Sequence, residues 1–144
     1  MLALNNEHAA ELSWLEPQAL SDLLRMAYHA RVGSDQDSFL IAFDDKAPYA
    51  SPNFLWFRHR FDRFVYVDRV AVSAAARGRG LAQLLYADLF SQARADGHER
   101  ICCEVNLDPP NPASDRFHAG LGFRPVGTAA LPNGKTVTYL VHTL

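Results

Sequence analysis

The chain has 144 residues, of which 49% are hydrophobic and 21% are charged, and its formal net charge is −2. This balance excludes a disordered chain and predicts one globular domain, spanning residues 1–144, with a single sizeable core. Twelve of its fourteen basic residues are arginine. Because the net charge is slightly negative, neither nucleic acid nor a membrane is an expected partner.

The two cysteines, Cys102 and Cys103, are adjacent in the sequence. Neighbouring residues of a strand point to opposite faces, so these thiols are poorly placed to form a disulfide. No C-x-x-C or Cys/His ligand spacing occurs, and we expect buried thiols in a reducing cytosol and no metal. The N-terminus lacks a basic region followed by an apolar run, and no segment approaches the ~20 apolar residues of a membrane span. A cytoplasmic location is therefore expected.

In the N-terminal half, the sequence pattern predicts short strands, a helix and a loop. A short strand is expected from Leu2 to Leu4, and a helix beginning at Pro17 is expected to end at Gly33 and Ser34. Apolar residues at the i, i+3, i+4, i+7 spacing of an amphipathic helix support that helix: Leu20, Leu23, Leu24 and Ala27. Residues 38–43 predict a buried strand and 44–53 a loop. The aromatic and basic segment 54–61 is compatible with either a helix or an irregular loop.

Residues 64–72 carry the strongest strand pattern in the chain. Strict alternation assigns the side chains to two faces. One face is expected to hold Val65, Val67, Arg69 and Ala71, and the other Phe64, Tyr66, Asp68, Val70 and Val72.

In the C-terminal half, the ends of the predicted helices and strands are better marked than in the N-terminal half. A helix follows the turn at 76–80 with Leu81, Leu84, Leu85, Leu89 and Ala93 at helical spacing, and Gly97 is expected just past its end. A strand is predicted at 101–106. The next helix has Asn111 at its N-cap and Pro112 in its first turn, and Gly122 ends it. Strands at 123–130 and 136–141 are joined by a turn containing Asn133 and Gly134.

The segment Arg77-Gly78-Arg79-Gly80-Leu81-Ala82, between a strand and a helix, predicts a phosphate-binding turn. The first turn of a helix has unpaired N–H groups and the positive end of the dipole, glycines allow close approach, and arginines add donors. The P-loop string is absent, and the dinucleotide fingerprint fails at its third glycine, where Gln83 stands. A diphosphate ligand such as NAD, or only a tight turn with surface arginines, remain alternatives.

Two motifs in order give this chain a specific resemblance. Arg77, Gly80 and Ala82 match the pattern Arg/Gln-x-x-Gly-x-Gly/Ala after the strand 68–72, and the block Asn111-Pro112-Ala113-Ser114-Asp115-Arg116-Phe117-His118 is followed by Leu121-Gly122-Phe123. Between them, Glu104-Val105-Asn106 fits a second central strand. From about residue 64 to 127 the sequence resembles the GNAT N-acetyltransferase superfamily.

This resemblance implies a fold and an activity. The expected fold is α/β, with a mixed, mostly antiparallel sheet of six to seven strands flanked by helices. The central strands, about 64–72 and 100–106, are expected to splay apart to admit acetyl-CoA as cosubstrate. The implied reaction is N-acetylation of a small amine or a peptide N-terminus, and a homodimer is compatible with the family. The rival hypothesis is a CoA-binding sensor or interaction domain without catalysis.

The resemblance also implies cofactor contacts. Backbone amides across Arg77, Gly78, Arg79, Gly80, Leu81 and Ala82 are expected to hold the CoA pyrophosphate. Val70, Ala71 and Val72 are expected to bind the pantetheine arm as if it were an added strand, with the Val70 N–H polarising the thioester carbonyl. Asn111 and Ser114 are expected to contact the arm from the other side, and plain helix capping by Asn111 is equally compatible.

Acetyl transfer also needs groups that handle protons. Glu104 is the first candidate for the base and Asp68 the second, and either could instead be structural. His118 stands where many GNAT members have a tyrosine that protonates the leaving thiolate, and Tyr66 is an alternative donor. An enzyme without a dedicated acid also remains open. The segment 54–61 is a candidate acceptor wall or part of the core, with Arg58 and Arg60 suited to an anionic acceptor.

Overall fold

The computed structural model describes all of residues 1–144. Six strands form one sheet in the order β1-β2-β3-β4-β6-β5. They are β1 His29–Val32, β2 Ser38–Asp44, β3 Val65–Val72, β4 Arg100–Asp108, β5 Arg124–Ala130 and β6 Thr136–Thr143. All neighbouring strands are antiparallel except β3 and β4, which are parallel. The sheet is therefore mixed and mostly antiparallel, as predicted.

Helices cover both faces of the sheet. They are α1 Leu2–Glu7, α2 Ala9–Leu12, α3 Pro17–Met26, α4 Pro52–Arg58, α5 Leu81–Ala95 and α6 Pro112–Gly120. One apolar core joins α1, α3 and α4 to one face of the sheet, and a second joins α5 to the other, with Phe117 of α6 packed against it. None of these helices combines the length and the apolar composition that crossing a membrane would require.

The two cysteines show how the sheet divides these cores. Cys102 belongs to the core beneath α1, α3 and α4, and Cys103 belongs to the core beneath α5. Both thiols are buried and free. The prediction that the adjacent cysteines point to opposite faces and do not pair is confirmed.

The central strands β3 and β4 separate soon after they begin. They pair only at Val65 with Ile101 and at Tyr66 with Cys102, although β3 continues to Val72 and β4 to Asp108. Beyond Tyr66 the edge of β3 that faces β4 has no strand partner, and a gap opens in the middle of the sheet. The predicted splay is confirmed.

A β-bulge at Asp68 changes the predicted faces of β3. Ile41 of β2 lies opposite Arg69, whereas the next residue, Ala42, lies opposite Val67, so Asp68 is an extra residue on β3. An extra residue reverses the alternation that follows it. Ala71 therefore packs in the core with Phe39 and Tyr66, and Val70 packs against the core beneath α5. The prediction that Asp68 shares a face with Val70, and Val67 with Ala71, is wrong.

Two expectations at the N-terminus are also wrong. Leu2 to Leu4 lies in helix α1 instead of a strand, and a run of three residues is too short to show a period. Helix α3 ends at Met26 because Ala27 is extended, and β1 precedes Gly33. The undecided segment 54–61 is mostly helix α4.

The later elements follow the prediction. Gly97, with φ +80°, lies just past α5, and Asn111 caps α6 by accepting a hydrogen bond from the Ser114 N–H at 3.3 Å. In helix α5 the expected residues Leu85, Leu89 and Ala93 are buried, but Leu84 is exposed, and Tyr86 and Phe90 complete the buried face.

Candidate functional site

The gap between β3 and β4 is a cavity of about 480 Å³, within the range of small-molecule sites. Its lining contains nine of the predicted site residues: Asp68, Val70, Ala71, Val72, Arg77, Glu104, Asn111, Ser114 and His118. The predicted residues outside the lining are Gly78, Arg79, Gly80, Leu81 and Ala82. Glu11 and Leu12 of α2, and His8 between α1 and α2, form part of the wall. No motif in the sequence indicated that these three residues line the site.

The turn at the start of α5 has the geometry of an anion site. Gly78 and Gly80 have φ values of +82° and +71°, and a Cβ atom at either position would meet nothing within 4 Å. Gly80 is the N-cap of α5, and no side chain caps the first-turn N–H groups. Arg77 lies beside the turn with its Nη2 atom 3.3 Å from Nε2 of His8. This open, uncapped turn could hold a diphosphate.

Glu104 lies where β3 and β4 separate, half-buried beneath α4. Its Oε1 atom accepts hydrogen bonds from the Tyr66 hydroxyl and from Nδ2 of Asn53, both at 3.0 Å, and Tyr66 also lies 2.8 Å from Oε2. Tyr139 in turn donates to Oδ1 of Asn53 at 2.9 Å. Desolvation raises the pKa of Glu104 to about 8, with the charge of Asp68 adding to the rise and the Tyr66 hydrogen bond opposing it. A carboxyl with this pKa can accept a proton near neutral pH.

The carboxylate of Asp68 is held by two donors, Tyr49 and Arg69. Its Oδ1 atom accepts a hydrogen bond from the Tyr49 hydroxyl at 2.7 Å, and its Oδ2 atom forms a buried ion pair with Nε of Arg69 at 2.7 Å. Arg69 also donates to Oδ1 of Asn5 in α1 at 2.8 Å. These contacts tie β3 to α1, and they leave Asp68 less available for proton transfer than Glu104.

His118 is buried and both of its ring nitrogens have partners. Nδ1 lies 2.8 Å from the Ser114 carbonyl oxygen and 3.2 Å from the Ser114 hydroxyl, and Nε2 lies 2.8 Å from the Tyr86 hydroxyl. Desolvation lowers the pKa of His118, while hydrogen bonding to Ser114 and the charge of Asp115 oppose that change. The neutral imidazole is therefore the favoured form at neutral pH.

Sequence reasoning missed Asn53 and Tyr86. Asn53 lies in a Pro-containing segment read as a loop, and nothing in the sequence indicates that it reaches a carboxylate 51 residues away. Tyr86 is on the buried side of α5, one position from the apolar spacing used for that helix. The feature of the sequence that could have indicated Tyr86 is its position on the core side of the predicted helix, six residues after Gly80.

A second, smaller cavity of about 140 Å³ lies on the side of the sheet that α4 covers. Six residues line both cavities: Glu11, Leu12, Asp68, Arg69, Glu104 and Asn106. The two cavities therefore meet along these six residues, and Glu104 is one of them. The smaller one has a mainly polar lining that includes Ser51, Asn53 and Lys135.

Of the two alternatives for 54–61, an acceptor wall or part of the core, the packing of the aromatic side chains supports the core. Phe54 and Phe57 are fully buried in the core. Arg60 lies over the Trp56 ring, with 3.6 Å from Cζ to the ring centroid, and Arg58 lies 3.5 Å from the Ala47 carbonyl oxygen. Neither arginine lines either cavity. Burial of the aromatic rings stabilises the core, while Arg58, His59 and Arg60 are exposed.

Comparison with known proteins gives a consistent assignment. The model of the Acetyltransferase (GNAT) family matches residues 1–123. Phosphinothricin N-acetyltransferase from Streptomyces coelicolor is 36% identical over 103 residues, which are 70% of this chain and 54% of that protein. The chain therefore spans about half the length of this curated relative.

Solved structures share the fold at low sequence identity. The NatC complex bound to Gag peptide and CoA matches with a TM-score of 0.72 and 14% identity, over 99% of this chain and 87% of that one. NAA60 from Arabidopsis thaliana in complex with acetyl-CoA matches with a TM-score of 0.58 and 19% identity, over 79% of this chain and 70% of that one. With the splayed strands in place and the family model covering most of its length, the chain belongs to the GNAT acetyltransferase family.

Proposed function

We propose that residues 1–144 form one N-acyltransferase domain that transfers the acetyl group of acetyl-CoA to an amine by direct attack on the thioester. The observation that carries this proposal is the position of Glu104, a carboxyl that lines both cavities. The similar protein from Streptomyces coelicolor is named as an N-acetyltransferase, which supports an amine as the acceptor.

The cosubstrate would lie in the larger cavity along β3. The unpaired edge of β3 offers main-chain groups to the amides of the pantetheine arm, including the Val70 N–H as donor to the thioester carbonyl. The turn from Arg77 to Ala82 would hold the pyrophosphate. Since Oδ1 of Asn111 already accepts the Ser114 N–H, the Asn111 amide group remains free to donate to the arm. Capping and cofactor contact are therefore compatible.

In this mechanism the neutral amine enters through the smaller cavity and attacks the carbonyl carbon. The Glu104 carboxylate takes the amine proton, and the Tyr66 and Asn53 hydrogen bonds fix the orientation of its oxygens. The charge that develops on the carbonyl oxygen is stabilised by the N–H donor on β3. The C–S bond then breaks and its electron pair leaves with the sulfur.

Release of free CoA thiol from acetyl-CoA, measured over a panel of amines and peptide N-termini, tests the proposal. We expect turnover with at least one amine and a loss of about 10²–10⁴-fold in kcat in Glu104→Gln, the contribution typical of a general base. CoA binding without thiol release on any acceptor would instead favour a sensor domain. Thermal stabilisation by NAD and none by CoA would refute the cofactor assignment.

We also propose a cytoplasmic location. Its support is the pair of buried, free thiols at Cys102 and Cys103, which suits a reducing compartment. Fractionation of the native host, with the protein followed by immunoblot, checks this.

A further inference from the structure

The turn between β5 and β6 contributes Lys135 to the lining of the smaller cavity. Lys135 and Lys46 are the only lysines of the chain. Lys135 is half-buried, although lysine side chains are mostly exposed, and it takes part in no ion pair. A half-buried ammonium that lines a cavity without a carboxylate partner is suited to bind an anionic group of a ligand.

The position of Lys135 is fixed by three hydrogen bonds. Its Nζ atom donates to the Ala10 carbonyl oxygen in α2 at 2.7 Å. Its main-chain N–H donates to Oδ1 of Asn133 at 3.0 Å, and its carbonyl oxygen accepts from the Leu131 N–H at 2.7 Å. An ammonium carries three hydrogens, so two remain for a ligand beside the Ala10 bond. Because the side chain is already held, binding an anion costs less entropy than ordering a free lysine would.

Carboxyl groups line the same cavity. Glu104 lies on β4, and Glu11 of α2 is exposed. The charge of Asp68 is balanced by its ion pair with Arg69. The cavity therefore offers two carboxyl groups without a cationic partner, which attract an amine, and one ammonium, which attracts an anion. This pattern is complementary to a molecule that carries both charges.

The register of the sheet separates the two kinds of charge. Glu104 lies opposite Tyr139 of β6, and Lys135 directly precedes Thr136, the first residue of that strand. Four residues separate Lys135 from Tyr139, which correspond to about 14 Å along a strand. Both long side chains line one cavity of about 140 Å³. The amine and the anion of a small ligand that contacts both residues are therefore several bonds apart.

We infer that the acceptor is a small amine that also carries an anionic group, and that Lys135 binds this group. The inference rests on the proposed acetyl transfer and specifies the class of its acceptor. Lys135 takes no part in the bond changes at the thioester. It contacts the acceptor at a distance from the reacting nitrogen, and such binding is equal in the ground state and the transition state. Its loss therefore raises KM and leaves kcat nearly unchanged.

The test measures thiol release with pairs of acidic and neutral acceptors. The acids are 4-aminobutanoate and 3-aminopropylphosphonate, and their neutral partners are 4-aminobutanamide and the diethyl ester of the phosphonate. We expect the wild-type kcat/KM to be about 10–100-fold higher for at least one acid than for its partner, the usual contribution of a hydrogen bond to a charged group. A wild-type chain that prefers neither acid would overturn the inference.

Two variants assign the preference to Lys135. Lys135→Gln should raise KM for the preferred acid by about 10–100-fold and change kcat/KM for the neutral partner by less than about twofold. Lys135→Glu should make the acid a poorer acceptor than its partner. Lys46→Gln is the matched control, because Lys46 is exposed and lies outside both cavities, and it should behave as the wild type.

A merely structural role of Lys135 gives a different result. The amide of a glutamine can still donate to the Ala10 carbonyl oxygen, and a displaced turn would impair acidic and neutral acceptors alike. Equal losses for the two members of a pair in Lys135→Gln, or a preference for the acid that persists in Lys135→Glu, would overturn the inference. A wild-type chain that releases no thiol with any amine would instead refute the proposed function itself.

Discussion

The substitution Glu104→Gln tests the environment of the candidate base independently of any substrate. The Tyr66 and Asn53 donors both reach Oε1 of Glu104, and a glutamine keeps one carbonyl oxygen that can accept both. The change therefore removes the titratable group while preserving these hydrogen bonds. We expect Glu104→Gln to become more stable relative to the wild type as the pH rises.

The sign follows from proton binding in the two states. In the unfolded chain Glu104 loses its proton near its ordinary pKa of 4.5, whereas in the folded chain its pKa is about 8. Between those values the folded state binds more protons than the unfolded state, so wild-type stability falls as the pH rises. The glutamine variant has no titratable group at position 104, so its stability lacks this decrease with rising pH.

The shift sets the size of the effect. Each pKa unit corresponds to about 1.4 kcal/mol, so the rise from 4.5 to about 8 gives a ceiling of about 5 kcal/mol. Because Glu104 is partly open to the cavity and water screens its charge, we expect about half of this. The gain of Glu104→Gln over wild type should therefore grow by about 2–3 kcal/mol between pH 5 and pH 9, roughly 5–10 °C in Tm.

Urea unfolding followed by circular dichroism at pH 5, 7 and 9 measures this difference. Glu99→Gln is the matched control, since the Glu99 side chain is 80% exposed and its loss should leave the pH dependence unchanged. A gap between Glu104→Gln and wild type that stays constant from pH 5 to pH 9 would refute the reasoning, because it would mean that Glu104 titrates normally in the folded protein.

Three further outcomes are expected. Wild-type kcat/KM should rise with pH through about 8, as Glu104 and the amine lose their protons, and a profile that is flat from pH 6 to pH 9 would argue against Glu104 as the base. Gly80→Asp should abolish CoA binding measured by calorimetry, because its carboxylate would repel the phosphates. Gly80→Asn should retain binding, since asparagine tolerates the φ of +71° as well as aspartate does. Equal affinities of the two variants for CoA would show that no phosphate lies at the turn. Gly127→Ala should destabilise the fold by about 1–3 kcal/mol, because the added Cβ would lie 2.6 Å from Cζ2 of Trp56, whereas Gly120→Ala, with open space around it, should be neutral or stabilising in the same unfolding assay.

The sequence alone determined those local features whose conformation depends on residues adjacent in the chain. The turn from Arg77 to Ala82, the Asn111 cap and the glycine after α5 are set by local backbone preferences, and each was predicted. The two glycines of the turn have the left-handed φ values that such a turn requires. The resemblance to GNAT proteins placed the splay of the central strands, which the pairing of β3 and β4 confirms.

Only the tertiary structure decided the faces of β3 and the surroundings of the titratable groups. The bulge at Asp68 depends on pairing with β2, so strict alternation could not reveal it. Glu104 is 38 residues from Tyr66 and 51 from Asn53, and Tyr86 is 32 residues from His118. The pKa of a carboxyl or an imidazole is set by burial and by neighbours in space, and packing brings those neighbours together from distant parts of the chain.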